Sequence, residues 1–235
     1  LGVLVAGVAH EINTPLGVGL AAISTLQQQS AEIADRFAAR QMTQSNLQAY
    51  LATATAETAL IRANLDRIGK LVDAFRQVAV LGGTPTRRRL ALRTLIDEVV
   101  ASFGTRLVTA GAKVDIRCAP VLEIDGVHAD WTTILSNLVA NSLHHGFAGR
   151  GHGLITISAE ADSRLLTLDY RDDGAGMGAE VRQRIFDPFF STDLQHGMGL
   201  GMHLVYNLVT QRMGGRIVCG GAPGEGAHFH IEVPL

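Results

Sequence analysis

The N-terminal third of the chain shows a helical repeat of apolar positions. Apolar side chains recur mostly every three or four residues in two segments, 1–40 and 47–81, so each segment has one apolar face. The stretch between them, 41–46, is polar and predicts a turn. Its candidate capping residues are Thr43, Ser45 and Asn46. The pattern therefore predicts two long amphipathic helices that form an antiparallel hairpin over residues 1–81.

A hairpin of this kind leaves one apolar seam exposed to water. Two copies that pair as a four-helix bundle would bury this seam, and we therefore expect a homodimer. The alternative is that the hairpin packs only on the C-terminal domain of its own chain.

The periodicity changes after Gly82-Gly83-Thr84-Pro85, a helix-breaking stretch that predicts a linker at 82–86. Residues 87–235 then mix short alternating segments, which are typical of strands, with further helical segments. The predicted strands are 90–92, 113–118, 153–161, 163–170, 216–219 and 227–233, and the predicted helices are 95–104, 129–145, 181–186 and 200–213. Because strands and helices do not alternate regularly, the pattern favours an α+β layer structure over a doubly wound sheet.

Composition narrows the possible partners. The chain has 235 residues, 47% of them hydrophobic, and a net charge of −2, so we expect no nucleic-acid partner and no anionic membrane surface. No apolar run is long enough to span a bilayer. The two cysteines, Cys118 and Cys219, are far apart, which favours free thiols in a reducing compartment, so we expect a cytoplasmic location. Since the sequence begins at Leu1, not Met, we expect a fragment that reaches a membrane only through an absent upstream segment.

His10 is the first candidate for chemistry. Its imidazole is mostly neutral near pH 7 and so is a competent nucleophile, and the adjacent Glu11 is placed to take its proton. On a helix, Asn13 and Thr14 share the face of His10 and would hold a water there. Pro15 should kink this helix or free a carbonyl group. The alternative is an ordinary surface or core histidine.

The predicted helix 129–145 carries a second polar face. Asn137 and Asn141 lie four residues apart, and His144 or His145 continues their face. An amide oxygen is a hard ligand that suits Mg²⁺. Capping or surface asparagines are the alternative.

Two glycine-rich stretches follow. Asp172-Asp173-Gly174-Ala175-Gly176 comes after an apolar strand, where a carboxylate is able to accept a hydrogen bond from an exocyclic amine and glycines admit a ligand close to the backbone. Gly197-Met198-Gly199-Leu200-Gly201 opens a helix, whose free N–H groups favour an anion. The aromatic segment 185–192 and the polar segment 193–196 between them predict a movable lid. The alternative, for Phe186 or Phe189, is a hydrophobic loop that plugs the core. An ordinary acidic-glycine turn is the alternative for the first stretch.

His228 and His230 alternate on a predicted strand and would share a face. No third ligand is apparent from the sequence, so a zinc site is not favoured there.

Taken together, these stretches resemble the catalytic core of bacterial two-component sensor histidine kinases over essentially the whole chain. The corresponding motifs, in chain order, are the H-box at 10–16, the N-box at 137–145, the G1 box at 172–176, the F-box at 186–190 and the G2 box at 197–201. The resemblance implies a dimerisation and histidine-phosphotransfer hairpin, paired as a dimeric four-helix bundle, at 1–81. It also implies a Bergerat-type ATP-binding α+β sandwich at 87–235.

The resemblance also implies residue roles. His10 would be the phosphorylated nucleophile and Glu11 its base, while Thr14, with Asn13, would place water for dephosphorylation of a partner. Asn141 would hold Mg²⁺. The nucleotide site would comprise Asn137, Asp172 as the adenine reader, His144 or His145, Gly174, Gly176, Phe190, Gly197, Gly199, Leu200 and Gly201.

The activity implied is autophosphorylation of His10 from Mg·ATP, followed by transfer to an aspartate of a response-regulator receiver domain, with phosphatase activity left open. Two departures from the family pattern stand out. Asp193 lies where relatives often carry Lys, and Ser142 lies where Ala is common, a mild change. Asp193 favours the alternative of a nucleotide-binding dimeric pseudokinase or scaffold. A third reading, an ATPase that drives clamp closure, gives no reason for the hairpin.

Overall fold

The computed structural model describes residues 2–79, 86–192 and 199–235, except for the side chains of 2–6, 8, 10, 70 and 73–79. Several predictions from the sequence fall outside this part: residues 82–85 of the linker predicted at 82–86, Asp193, Gly197 and the side chain of His10. The chain divides into two compact units, Leu1–Ala79 and Val80–Leu235.

The first unit is the predicted helical hairpin. Helix α1 spans Gly2–Ala38 and continues through Pro15, and α2 spans Gln44–Ala79. Thr43 and Asn46 exchange hydrogen bonds at the start of α2: the Asn46 N–H donates to Thr43 Oγ1 (3.2 Å), and the Thr43 N–H donates to Asn46 Oδ1 (3.3 Å). This reciprocal cap satisfies N–H groups that a helix start leaves without intrahelical partners, which explains why α2 begins here.

The second unit is an α+β sandwich. Its strands are β1 (Arg88–Ala91), β2 (Ala112–Cys118), β3 (Glu123–Gly126), β4 (Gly153–Ala161), β5 (Leu165–Asp172), β6 (Arg216–Gly220) and β7 (His228–Pro234). Its helices are α3 (Leu92–Ser102), α4 (Gly104–Thr109), α5 (His128–Asn141), α6 (Ala179–Arg184) and α7 (Gly201–Asn207). The main sheet has the order β2-β4-β5-β7-β6, and all its pairs are antiparallel except β2 with β4. Strands β1 and β3 form a separate antiparallel pair.

The core of this unit lies on one face of the main sheet. Alternate residues of the central strands are fully buried, and so is one face of α5. The buried positions with no exposed surface include Ile155, Ile157, Leu168, Tyr170, Phe229 and Ile231 of the sheet and Ile134, Leu135 and Leu138 of α5. Most outward positions of β5 and β7 carry polar side chains, such as Thr167, Asp169, His228, His230 and Glu232, so this part of the sheet has one apolar and one polar face.

The structure confirms the predicted helical hairpin followed by an α+β sandwich, and it corrects several elements. The predicted strand 90–92 is β1 at 88–91, because Leu92 already begins α3. The predicted helix 95–104 ends at Ser102, and α4 and β3 were not predicted. Both are short, four to six residues, and too brief for a periodic pattern to show.

Two predicted helices end in wider turns. Helix α5 continues into a π-helical turn at Ser142–Gly146, and α7 continues into another at Leu208–Arg212. Single π-helical turns inside helices are rare and occur often at functional sites.

Candidate functional sites

The carboxylate of Asp172 is held at the end of β5 by three hydrogen bonds. Its Oδ1 accepts from the N–H groups of Gly174 and Ala227, both at 3.0 Å, and its Oδ2 accepts from the hydroxyl of Ser142 at 2.5 Å. The side chain is buried, with 7% exposure. A buried carboxylate needs such donors, since charge transferred out of water without partners is costly. The result is a fixed acceptor with little freedom to turn.

The hydroxyl of Tyr170 extends this network. Ser142 and Tyr170 lie 2.9 Å apart through their oxygens. Because the single hydroxyl proton of Ser142 is donated to Asp172, Tyr170 must be the donor to Ser142. Burial raises the pKa of Tyr170 well above its ordinary value, which keeps that phenol protonated and able to donate.

This arrangement leaves Asp172 with capacity for one more donor. A carboxylate has about four lone-pair positions, and three are used. The remaining position is on Oδ2, beside the Ser142 contact. By its chemistry this position suits a ligand N–H group, whereas a ligand carbonyl would face an acceptor.

Helix α5 and its π-helical turn carry the other predicted polar residues. The Asn137 amide donates to the Thr133 carbonyl at 2.8 Å, and among the described residues the side chain of Asn141 has no hydrogen-bond partner. The ring of His144 lies 3.0 Å from an Arg106 nitrogen. The amide oxygen of Asn141 is therefore available to a ligand, and oxygens of this kind are ligands that Mg²⁺ accepts.

The two candidate histidines at the end of this turn have different neighbours. His145 Nδ1 lies 3.3 Å from the hydroxyl of Thr192, at the edge of the predicted lid, while His144 contacts Arg106 of α4. Both rings are exposed. The sequence left open which of them contacts phosphate, and their neighbours place His145 beside the lid.

The glycines of the first glycine-rich stretch are required by the fold itself. A Cβ atom at Gly174 would lie 2.5 Å from the Cα of Gly146, and one at Gly176, which has φ +68°, would lie against the carbonyl of Ala222. Any larger residue at these positions would push the π-helical turn or the 222–226 loop away from the end of β5. These glycines therefore have a packing role in addition to the predicted role of admitting a ligand.

The start of α7 packs closely on the same site. A Cβ atom at Gly201 would lie 2.5 Å from Asn137 Oδ1, and one at Gly199, with φ +64°, would lie 2.5 Å from the Phe190 carbonyl oxygen. Leu200 between them is buried. The structure therefore brings α5, the end of β5 and the start of α7 together, as the order of motifs predicted. Gly197 lies outside the described residues.

The aromatic segment before α7 is anchored at its base. The Phe186 carbonyl is 2.9 Å from His203 Nδ1, and His203 Nε2 is 2.9 Å from the Asn207 amide nitrogen. Since the amide nitrogen donates, the ring proton lies on Nδ1 and is donated to Phe186. The guanidinium of Arg184 lies over the ring of Phe190, with 4.4 Å between Arg184 Cζ and the ring centre.

In the hairpin, the backbone of His10 lies within α1. The neighbouring Glu11 pairs with Arg67 of α2, with 3.5 Å between Oε2 and Nη2. Asn13 and Thr14 are exposed, and Pro15 is buried. Both groups of the Glu11–Arg67 pair are partly exposed, so the pair contributes about 1 kcal/mol at most and leaves Glu11 able to exchange partners.

Four residues that belong to these sites were not singled out as site residues from the sequence: Ser142, Tyr170, Ala227 and Arg67. Ser142 was noted only as a mild departure. A signal did exist for Tyr170, because it occupies an inward position of an alternating strand with a hydroxyl that needs a partner when buried. The contacts of Ala227 and Arg67 depend on tertiary packing and left no trace in the local pattern.

None of the helices in the described part of the chain is long and apolar enough to cross a bilayer.

Comparison with known proteins agrees with this geometry. Residues 126–235 match the family of histidine kinase-, DNA gyrase B- and HSP90-like ATPases. The sensor histidine kinase ZraS of Escherichia coli O157:H7 is 30% identical over 242 residues, which cover all of this chain and 46% of ZraS. The histidine kinase AtoS of Escherichia coli K12 is 26% identical, over all of this chain and 35% of AtoS. The chain thus spans about half the length, or less, of these curated relatives.

Solved structures give the same fold. The histidine kinase ThkA in complex with the response regulator protein TrrA superposes with a TM-score of 0.68 at 20% identity, covering all of this chain and 61% of that chain. The Acinetobacter baumannii histidine kinase AdeS superposes with a TM-score of 0.62 at 19% identity, covering 96% and 98%. The resemblance predicted from the motifs is confirmed: this chain has the fold of a histidine kinase catalytic core, its homologues are sensor histidine kinases, and its residues 126–235 match the histidine kinase-, DNA gyrase B- and HSP90-like ATPase family.

Proposed function

We propose that this chain is an ATP-dependent protein histidine kinase core. The imidazole of His10 attacks the γ-phosphorus of ATP, a P–N bond forms, and the P–O bond to ADP breaks. The phosphoryl group then passes from His10 to a carboxylate oxygen of an aspartate in a response-regulator receiver domain. Phosphoryl transfer of this kind depends mainly on positioning and charge neutralisation.

The observation that carries this proposal is the fixed carboxylate of Asp172 with one remaining acceptor position. An amino group on a purine would donate to it, while a purine carbonyl at the same place would meet an acceptor. Sites built to hydrogen-bond one such group reject the analogue that lacks it by large factors. We therefore expect preference for ATP over GTP, with Asp172 as the reading residue.

The phosphate end of the site would lie near Asn141 and the start of α7. The amide oxygen of Asn141 would hold Mg²⁺, which neutralises phosphate charge when bound. Asn137, Gly199, Leu200 and Gly201 would shape this end, since α7 begins directly against α5. His145 and Phe190 would border it from the lid side.

In the hairpin, Glu11 would accept the proton of the His10 ring as attack proceeds. Its pairing with Arg67 is weak enough to be exchanged for this contact. Asn13 and Thr14, two and one residues before the buried Pro15, would hold the water that attacks the phosphorylated partner. This last step would give the same chain a phosphatase activity.

We further propose that two copies pair through the hairpin. Its large apolar side chains include ten with at least 38% exposure: Leu16, Val18, Leu20, Ile23, Phe37, Leu47, Leu51, Leu60, Leu65 and Val72. An apolar surface of that extent on a helical pair is what a four-helix bundle buries. The response-regulator partner is supported by ThkA, which is solved in complex with the response regulator protein TrrA.

The test is incubation of the chain with γ-labelled Mg·ATP, followed for label that is acid-labile and base-stable. His10 is the sole histidine among residues 1–79, so label on the hairpin after proteolysis identifies it without ambiguity. We expect His10→Gln to abolish the label and Glu11→Gln to slow it by about 10²-fold or more, both with nucleotide binding intact. His152→Gln, in an exposed loop, is the matched control and should label normally.

The same assay separates the alternative of a nucleotide-binding scaffold. Retained ATP binding without label in the unsubstituted chain would favour the scaffold and contradict the kinase. The residue that favours the scaffold in the sequence, Asp193, lies outside the described residues. Loss of ATP binding in Asp172→Asn, with the fold intact, is expected under either function and tests the nucleotide site alone.

A further inference from the structure

The polar face of the main sheet carries a cluster of metal-ligand side chains that the proposed kinase function does not use. His228, His230 and Glu232 occupy alternate positions of β7, opposite to the buried Phe229 and Ile231. They therefore project together from the outward face of the strand.

Strand β5 supplies the third ligand that the sequence did not reveal. The antiparallel register places Asp169 directly opposite His230 and Arg171 opposite His228. Asp169 Oδ1 lies 2.5 Å from His228 Nε2 and 3.1 Å from His230 Nδ1. One ligand atom from each of the three residues lies within 4.8 Å of the other two.

The two distances from Asp169 are close to those of a zinc site. With zinc–ligand bonds of roughly 2.0–2.1 Å and a tetrahedral angle, two ligand atoms on one ion lie about 3.3 Å apart. The Asp169–His230 distance already matches, and the His228 ring needs to retreat by less than about 1 Å. All three groups are only partly buried, so such an adjustment meets little resistance.

The far side of the His230 ring has the partner that metal-bound histidines usually have. Its Nε2 lies 3.4 Å from Glu232 Oε1, while its Nδ1 points to Asp169. A carboxylate that accepts the second ring N–H fixes the tautomer and the ring orientation of a metal-ligating histidine. Glu232 would thus orient His230 with Nδ1 free of its proton and available to the ion.

We propose that Asp169, His228 and His230 form a binding site for a divalent transition-metal ion, with Zn²⁺ as the best-suited occupant. Two imidazoles and one carboxylate suit Zn²⁺ and disfavour Mg²⁺, which selects oxygen ligands. Three protein ligands leave a fourth position for water. A depression of about 260 Å³, lined in part by His228, His230 and Glu232, lies beside the cluster and gives that water room.

Two cations oppose the ion. Arg171 Nη2 is 4.0 Å from Asp169 Oδ1, and Arg216 lines the depression. The Arg171 side chain is 61% exposed and Arg216 is also exposed, so both are able to swing into solvent when an ion binds. The site is therefore expected to bind more weakly than a closed structural zinc site, without being blocked.

The test uses the full chain, freed of metal and without nucleotide, in competition with a chromophoric zinc chelator. We expect one Zn²⁺ per chain, which disappears in the double variant His228→Gln/His230→Gln and in Asp169→Asn. Glu232→Gln should retain the ion with affinity lowered by about 10-fold or more, as for other outer carboxylate partners. His152→Gln, an exposed histidine outside the cluster, is the matched control and should bind as the unsubstituted chain does.

Cobalt provides a second readout. Co²⁺ in place of Zn²⁺ should give visible absorption bands that the double variant lacks. Circular dichroism checks that each variant folds. If the double histidine variant does not fold, Asp169→Asn still tests the site, because Asp169 lies on a different strand. The proposal is overturned if the unsubstituted chain binds no zinc, or if zinc stoichiometry is unchanged in both the histidine and the aspartate variants.

Discussion

The two units of this chain bury their apolar side chains in different ways. In the second unit the sheet and α5 enclose a core in which residues such as Ile134, Leu168 and Phe229 have no exposed surface. In the hairpin, among the side chains that the structure describes, only Pro15, Ala22 and Leu71 are buried. The hairpin has as many residues as many small domains, yet most of its large apolar side chains that the structure describes are exposed.

This difference shows where each unit obtains its stability. Two helices have one mutual contact surface, whereas a sheet covered by helices has a closed interior. The second unit is therefore expected to have a stability independent of protein concentration. The hairpin is expected to depend on association, since oligomer stability is inseparable from protomer concentration.

The largest effect should come from truncating the closed core. Phe229→Ala removes a ring that packs 6.4 Å from that of Tyr170, and such a change costs about 3–5 kcal/mol. Urea unfolding of the second unit should show this loss equally at low and high protein concentration. Val108→Ala, at a position 80% exposed, is the control and should change stability by less than about 0.5 kcal/mol. A concentration-dependent loss for Phe229→Ala would contradict the comparison.

A charge on the hairpin should instead act on association. Leu65 is 59% exposed in the single chain, and a dimer would bury it twice. Losing about 1.5 kcal/mol of burial free energy in each copy lowers the free energy of association by about 3 kcal/mol in total. Leu65→Glu should therefore weaken the dimer by about a hundredfold or more. Sedimentation over a dilution series measures this, with Val108→Glu as the equally charged control. An unchanged dimer would mean that Leu65 lies outside the interface.

A smaller effect is expected at the edge of the closed core. Ser142→Ala removes the hydrogen bond to Asp172 Oδ2 and leaves the buried Tyr170 hydroxyl without its acceptor. We expect a stability loss of about 1–3 kcal/mol and ATP affinity lower by about threefold to tenfold. Adding Tyr170→Phe should restore stability, since no hydroxyl is then left unpaired, but not affinity.

Calorimetry with ATP separates these two effects of Ser142. Ser163→Ala, in an exposed turn, is the control and should change neither. Equal ATP affinity in Ser142→Ala and in the unsubstituted chain would show that Asp172 does not depend on this hydroxyl.

The last prediction concerns thiol reactivity and not stability or association, and it reports on the second unit alone because both cysteines lie there. Burial raises the pKa of Cys219 to about 11, and since only the thiolate reacts, alkylation should rise with pH until about that value. At pH 8 the rate should be roughly a hundredfold below that of a free thiol. Mass spectrometry of Cys118→Ala isolates this site, and a plateau near pH 8.5 would contradict the prediction.

Much of the fold could be predicted because the spacing of apolar positions along the chain indicates its long helices and strands. The hairpin follows from a repeat sustained over two long segments and from Thr43 and Asn46 at the turn. Strand β3 was missed because only Ile124 and Gly126 of its four residues are buried, which leaves no pattern to detect. Short elements are held by pairing with a neighbour, here β1, and not by their own sequence.

The sites divide in the same way. Asp172 and the asparagines of α5 were predicted because each lies in a local motif. Asp169 was not predicted as a partner of His230, because the two are 61 residues apart and meet only through the β5–β7 register. Ser142 looked like a minor change because its partner, Asp172, is 30 residues away. Contacts across elements depend on register and packing, which a single sequence does not display.

The π-helical turn at Ser142–Gly146 has a consequence for changes in chain length. An α-helix advances about 100° per residue, and a π-helical turn accommodates one more residue than an α-helical turn does. Deleting one residue between Ser142 and Gly146 would let the turn relax to an α-helix. The missing residue and the tighter turn offset each other, so everything after the deletion would keep nearly its present orientation relative to Asp172. An inserted residue has no such compensation and would rotate everything after it by about 100°. The fold should therefore tolerate a single-residue deletion in this turn better than an insertion, and insertions are expected to be the change most damaging to the fold there.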